Sequence, residues 1–101
     1  MFSLLYKFLG GRGHIEKLLL LRIKGGEEAA FKSFYSKHIR STCYMAYGFT
    51  NQKAGARDLG VDTLTDIWLN HAYIDTDKPP KVLIAQTMTK LYTRNKASYR
   101  K

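Results

Sequence analysis

The stretch Gly55-Ala56-Arg57-Asp58-Leu59-Gly60-Val61-Asp62-Thr63-Leu64-Thr65-Asp66-Ile67-Trp68-Leu69-Asn70 decides how the rest of the chain is read. Ala56, Leu59, Thr63 (by its methyl), Leu64, Ile67 and Trp68 recur at steps of three and four, the period of one buried helical face. The spacing therefore predicts a helix from about Gln52 to His71. Asp58, Asp62 and Asp66 fall four residues apart on it, so their carboxylates stand in a row and repel each other mildly. No basic residue follows Arg57 within this helix, so the row has no local partner. Two readings stay open: a solvated helix face, or a face that waits for a basic partner outside. Gly55 and Gly60 each cost the helix up to about 1 kcal/mol of propensity, so packing must hold it.

On the N-terminal side, Ala30, Phe31, Phe34, Tyr35, His38, Ile39, Thr42, Met45 and Ala46 trace an apolar stripe for a long helix that opens at Glu27-Glu28. Acids in a first turn favour the dipole and the free amides there. Gly48 is expected to close this helix, and Thr50-Asn51 to cap the next. Before it, a shorter helix from about His14 to Lys24 carries Ile15, Leu18, Leu19 and Ile23 inward and ends at Gly25-Gly26. Residues 1–13 are set apart as an apolar segment, Met1 to Leu9, and the linker Gly10-Gly11-Arg12-Gly13. Residues 14–101 are expected to form one helical domain.

On the C-terminal side, Asp75-Thr76-Asp77-Lys78-Pro79-Pro80 reads as a loop whose prolines start a last helix. Val82, Ile84, Ala85, Met88, Leu91 and Tyr92 are its buried stripe, and the helix is expected to run on to Lys101. No strand-like alternation interrupts this order. The fold class is therefore all-α: three principal helices and a shorter N-terminal one, packed around Phe31, Phe34, Leu64, Ile67, Trp68, Met88 and Leu91.

The 101 residues suffice for a single core. A formal charge of +9 raises affinity for polyanions, of which nucleic acid and an anionic membrane surface are the main candidates, with plain solubility as the alternative. The charge is uneven: five of the eight acids lie between Asp58 and Asp77, whereas Lys78 to Lys101 holds seven basic residues and no acid. That polarity suits two different partners. Lys90, Arg94 and Lys101, with Lys81, Lys96 and Arg100 beside them, form a basic stripe that binds phosphates whatever the base sequence.

Catalysis is poorly supported. Cys43 is alone, which forbids an internal disulfide, and it lies five residues from His38, off a shared helical face. It reads as a small core hydrophobe. His14, His38 and His71 have no carboxylate at ligand spacing, so neither a metal nor a cofactor is expected. Met1 to Leu9 lacks a basic start and a cleavage site, and no segment approaches the roughly 20 apolar residues that cross a bilayer. A reducing, cytoplasmic setting fits best.

The run Ala56 to Trp68 resembles the polymerase-binding helix of bacterial sigma factors, region 2, in particular those of the extracytoplasmic-function group. Leu19-Leu20-Leu21-Arg22-Ile23-Lys24-Gly25-Gly26-Glu27-Glu28-Ala29-Ala30-Phe31, followed by Phe34-Tyr35, is similar to that family's opening. The resemblance implies that Asp58, Leu59, Asp62, Thr65 and Asp66 contact the clamp coiled coil of the largest catalytic subunit of core RNA polymerase, with Trp68 locking the helix to its neighbours. It further implies contact with the non-template strand of the promoter's minus-ten element, through Tyr73 and Asp75 of the loop and Lys81, Lys90, Arg94 and Asn95 of the last helix. Where the family carries an Arg-Asn pair, this chain has Thr89-Lys90, and Arg94-Asn95 comes more than a turn later. The family's nucleoid-associated setting and anti-sigma factors as further partners come with the resemblance. The alternative is a helical interaction module that keeps the polymerase or anti-sigma contact without opening DNA. The sequence leaves open whether the family's second, promoter-reading domain belongs to the same protein.

Overall fold

The buried stripe of the central stretch, flanked by two longer apolar stripes, requires helix on helix, and a computed structural model shows that arrangement over the residues it describes, 15–100. We number the helices in chain order: α1 over 15–24, α2 Glu28–Thr50, α3 Lys53–Leu69, α4 Pro80–Arg94 and α5 Lys96–Tyr99, with a 3-10 turn at His71–Tyr73 before α4. No strand occurs among the described residues. Residues 1–13, set apart in the sequence, His14, the expected start of the first helix, and Lys101 lie outside them.

Helix α3 is the central element, lying along α2 over its length and against α4 and α5 on another side. Its expected inward residues Ala56, Leu59, Thr63, Leu64 and Ile67 are all buried. The buried Thr63 hydroxyl donates to the Leu59 carbonyl at 2.7 Å, which satisfies it inside an apolar stripe. The two glycines mark close crossings. A Cβ on Gly60 would stand 2.5 Å from Cys43 Sγ and 3.1 Å from its Cα, and one on Gly55 would overlap the Tyr99 carbonyl. Glycine lets backbones meet there, which offsets its propensity cost.

The core joins Leu20 and Ile23 of α1, Ala30, Phe34 and Ala46 of α2, the α3 stripe, Ile74, and Ile84, Met88, Leu91 and Tyr92 of α4. Phe34, Leu64, Ile67, Met88 and Leu91 are central as expected, whereas Phe31 and Trp68 are only partly buried. Trp68 is sandwiched instead, its ring stacked on Phe31 at 5.0 Å and on His71 at 5.1 Å. Trp68→Ala is accordingly expected to cost about 2–3 kcal/mol, below the 3–5 of a fully buried aromatic. Chemical denaturation of the variant checks this. In the native protein Trp68 fluorescence should lie between the buried and fully exposed limits.

Several expected boundaries move. Gly48 does not end α2; the helix runs to Thr50 and stops at Asn51, whose φ of 57° is left-handed and whose N–H donates to the Tyr47 carbonyl at 2.9 Å. Asparagine tolerates that conformation, so it closes α2 rather than opening α3. In α1 Ile23 is buried and Leu19 partly buried as expected, but Leu20 joins them inside while Ile15 and Leu18 are exposed. After α1, Gly26 takes a φ of 88° and the Glu27 N–H reaches back to the Arg22 carbonyl. The Glu27 carboxylate is then held by Arg22, with Nε at 2.8 Å, which lowers its pKa, and does not cap α2. In α4, Thr87 is buried and Val82 exposed.

The largest departure is at the C-terminal end. The last helix is not continuous, because α4 stops at Asn95, where the chain leaves helical geometry before the four-residue α5. Short polar side chains such as asparagine compete with the helix for backbone hydrogen bonds. The gain from turning is the burial of Tyr99, which is 5% exposed and lies against Tyr92 at 6.5 Å.

Candidate functional site

Two surfaces meet along the C-terminal half of α3. The first is the acidic row. Asp58, Asp62 and Thr65 are exposed and Asp66 is half-buried, with their α-carbons on one side of the helix. Leu59 does not join them: it is fully buried. The i, i+3 and i+7 spacings within the apolar stripe place it beneath the row. Its resemblance-based role as a contact residue is corrected to one of support.

The row also has partners within the chain, which no local spacing could reveal. The Tyr99 hydroxyl donates to Asp62 Oδ2 at 2.7 Å. Burial and this bond push the Tyr99 pKa up to about 12. Lys90 Nζ lies 3.3 Å from Asp66 Oδ2, and Asn70 Nδ2 donates to Asp66 Oδ1 at 3.3 Å and to its backbone carbonyl at 3.0 Å. Asp58 and Thr65 make no side-chain hydrogen bond or ion pair among the described residues. The positive and negative ends expected from the sequence are thus adjacent and partly neutralise each other.

The second surface is a cleft of about 150 Å³ between the end of α3, the 3-10 turn and α4, lined by Asp66, Asn70, Tyr73, Leu83, Thr87 and Lys90 among others. Tyr73 is 86% exposed at its edge. An exposed aromatic ring beside a lysine offers a stacking platform and a phosphate contact together.

The other expected nucleic-acid residues are dispersed. Asp75 organises the loop, accepting the Asp77 N–H at 3.0 Å and lying 4.0 Å from Lys78. Lys81 is on the rim of a different, apolar groove of about 610 Å³, formed with Glu16, His38, Thr42, Tyr44 and Ile84. Burial lowers the His38 pKa there, with Lys37 adding to it. Arg94 is exposed one turn beyond Lys90. Asn95 lines the acidic side, next to Asp62 and Tyr99. The proposed stripe therefore splits between two faces.

Tyr99, Asn70 and Thr87 were not singled out by the sequence. The one available signal was Tyr99 itself, an aromatic seven residues after Tyr92 in an otherwise basic tail. Burial pushes the Cys43 thiol up, away from the thiolate that nucleophilic chemistry needs. No group of three side chains suited to a metal occurs among the described residues, and none of their helices is long and apolar enough to cross a membrane. Comparisons with protein-family models, with curated proteins and with solved structures return no match.

Proposed function

We propose that the domain binds core RNA polymerase as a sigma region 2 does, through Asp58, Asp62, Thr65 and Asp66, and holds single-stranded promoter DNA at the Tyr73 cleft. The observation that carries this reading is the adjacency of the two surfaces, since Asp66 borders both. A carboxylate row suits a basic coiled coil, because complementary charge steers encounter and fixes register. Tyr73 and Lys90 beside it suit a base and its phosphate. A partner seated on the row would reach the cleft within one turn of α3. Neither catalysis nor a cofactor enters the reading.

A second reading has its own support. Lys90 is committed to Asp66, Lys81 is remote and Asn95 faces α3, which favours an interaction module that keeps the polymerase or anti-sigma contact without opening DNA. The two readings separate in a salt series with matched and scrambled single strands, with and without core polymerase. For the isolated domain, weak and nearly sequence-blind binding that falls steeply with salt is expected. Sequence preference should emerge when polymerase is present, and Tyr73→Ala should then weaken matched-strand binding by about tenfold, the worth of one stacked base. No preference even with polymerase would select the interaction module.

A further inference from the structure

Helix α5 has too few residues to be stable alone, since forming a first helical turn is unfavourable and isolated short helices do not persist in water. Tyr99 is the one buried residue of its four. Lys96, Ala97 and Ser98 are exposed, while Tyr99 is buried with its hydroxyl on Asp62, its ring by Tyr92 and its carbonyl over Gly55. The segment that carries it contains Lys90, Arg94, Lys96 and Arg100 and no acid. Two of its side chains, Lys90 and Tyr99, engage the row at Asp66 and Asp62. Lys90 of α4 thus brings a cation and Tyr99 of α5 a neutral donor to carboxylates that an external basic helix would also address. Asp58 and Thr65, at the two ends of the row's outer edge, stay open to such a partner.

We propose that α5 is a displaceable intramolecular ligand of the acidic row, closed on Asp62 through Tyr99, which a basic helical partner must release before it can occupy the whole row. The inference rests on the reading of the row as the polymerase-binding face. It adds a regulatory state: the row is partly self-occupied, and the apparent affinity for a partner is reduced by the fraction of molecules in which α5 is closed. A tyrosine hydroxyl is an O–H donor throughout the physiological range, and burial with the Asp62 bond pushes the Tyr99 pKa further up. Anything that removes that donor or crowds the Gly55 crossing should open the face without altering Asp58, Thr65 or Asp66.

Two variants of the full chain do this. Tyr99→Phe deletes the hydroxyl and keeps the ring, while Gly55→Ala improves the intrinsic propensity of α3 and places a methyl against the Tyr99 carbonyl. Opening is read by tryptic cleavage after Lys96, since cleavage of a transiently opened segment follows its open population. Binding is read with bacterial core RNA polymerase. Both variants should be cut after Lys96 several-fold faster than the wild type and bind polymerase about fivefold more tightly. Asp62→Asn should speed the same cleavage, because it weakens the acceptor.

Unchanged cleavage in all three variants would overturn the inference, for the row would not be what holds α5. Faster cleavage with unchanged or weaker polymerase binding in Tyr99→Phe and Gly55→Ala would overturn it equally, for α5 would not compete. Failure of the wild type and every variant to bind polymerase strikes the underlying reading instead. In that case accelerated cleavage in Asp62→Asn still identifies α5 as a ligand of the row, and its absence rejects that too. Should Gly55→Ala fold poorly by circular dichroism, Tyr99→Phe decides alone.

Discussion

Gly60→Val is expected to destabilise the domain by about 3 kcal/mol or more, the upper end of overpacking costs. The reason is where the new atoms would go. Even a single Cβ at this position meets the Cys43 sulfur and backbone at 2.5–3.3 Å, and valine adds two methyls to it. Relief requires α2 and α3 to separate, which uncovers Phe34, Leu59 and Leu64, all fully buried at this seam. A loss of that size is a large fraction of the stability of a domain this small. Gly60→Ala is milder, because its gain in helix propensity of about 1 kcal/mol offsets part of the strain. Cys43→Ala combined with Gly60→Ala should recover part of the remaining loss by removing the sulfur. Additive effects of the two alanines in denaturant unfolding would show that the helices do not meet here.

That crossing illustrates what the sequence could and could not tell. The apolar period of α3 was legible because each of its inward residues obeys one helical repeat, and the same holds for Ala30, Phe34, Thr42 and Ala46 of α2. The cost of Gly60 was legible too, but not its purpose, since Cys43 lies seventeen residues away on another helix. Asn51 misled in a similar way. Asparagine serves as an N-cap and as a left-handed C-cap, and only the path of the chain chooses between them. The row of acids was read correctly as a row, yet its partners Lys90 and Tyr99 are 24 and 37 residues distant, a separation that no periodic pattern encodes. The break at Asn95 was missed for the same reason. Asn95 only weakens the helix locally, and the burial of Tyr99 that accompanies the break is a tertiary event.

The self-pairing of the row changes how its role must be tested. Reversing Asp62 would also remove the acceptor of Tyr99, so loss of binding and loss of fold would be confounded. Asp58→Lys with Thr65→Lys avoids this, because neither side chain has a hydrogen bond or ion pair among the described residues. Exposed substitutions of this kind shift stability by about 0.5 kcal/mol or less. Helical content and melting temperature should therefore stay close to the wild type. Binding to core polymerase should fall by about 100-fold or more, since two new positive charges would face a basic coiled coil. Like-charge juxtaposition at an interface costs several kcal/mol, and each 1.4 kcal/mol is about tenfold in affinity. Added salt should weaken the wild-type complex and partly rescue the variant, because screening acts on attraction and repulsion alike. Undiminished binding by the double variant would remove the row from the interface. A collapse of the fold would make this face of α3 structural rather than an interface.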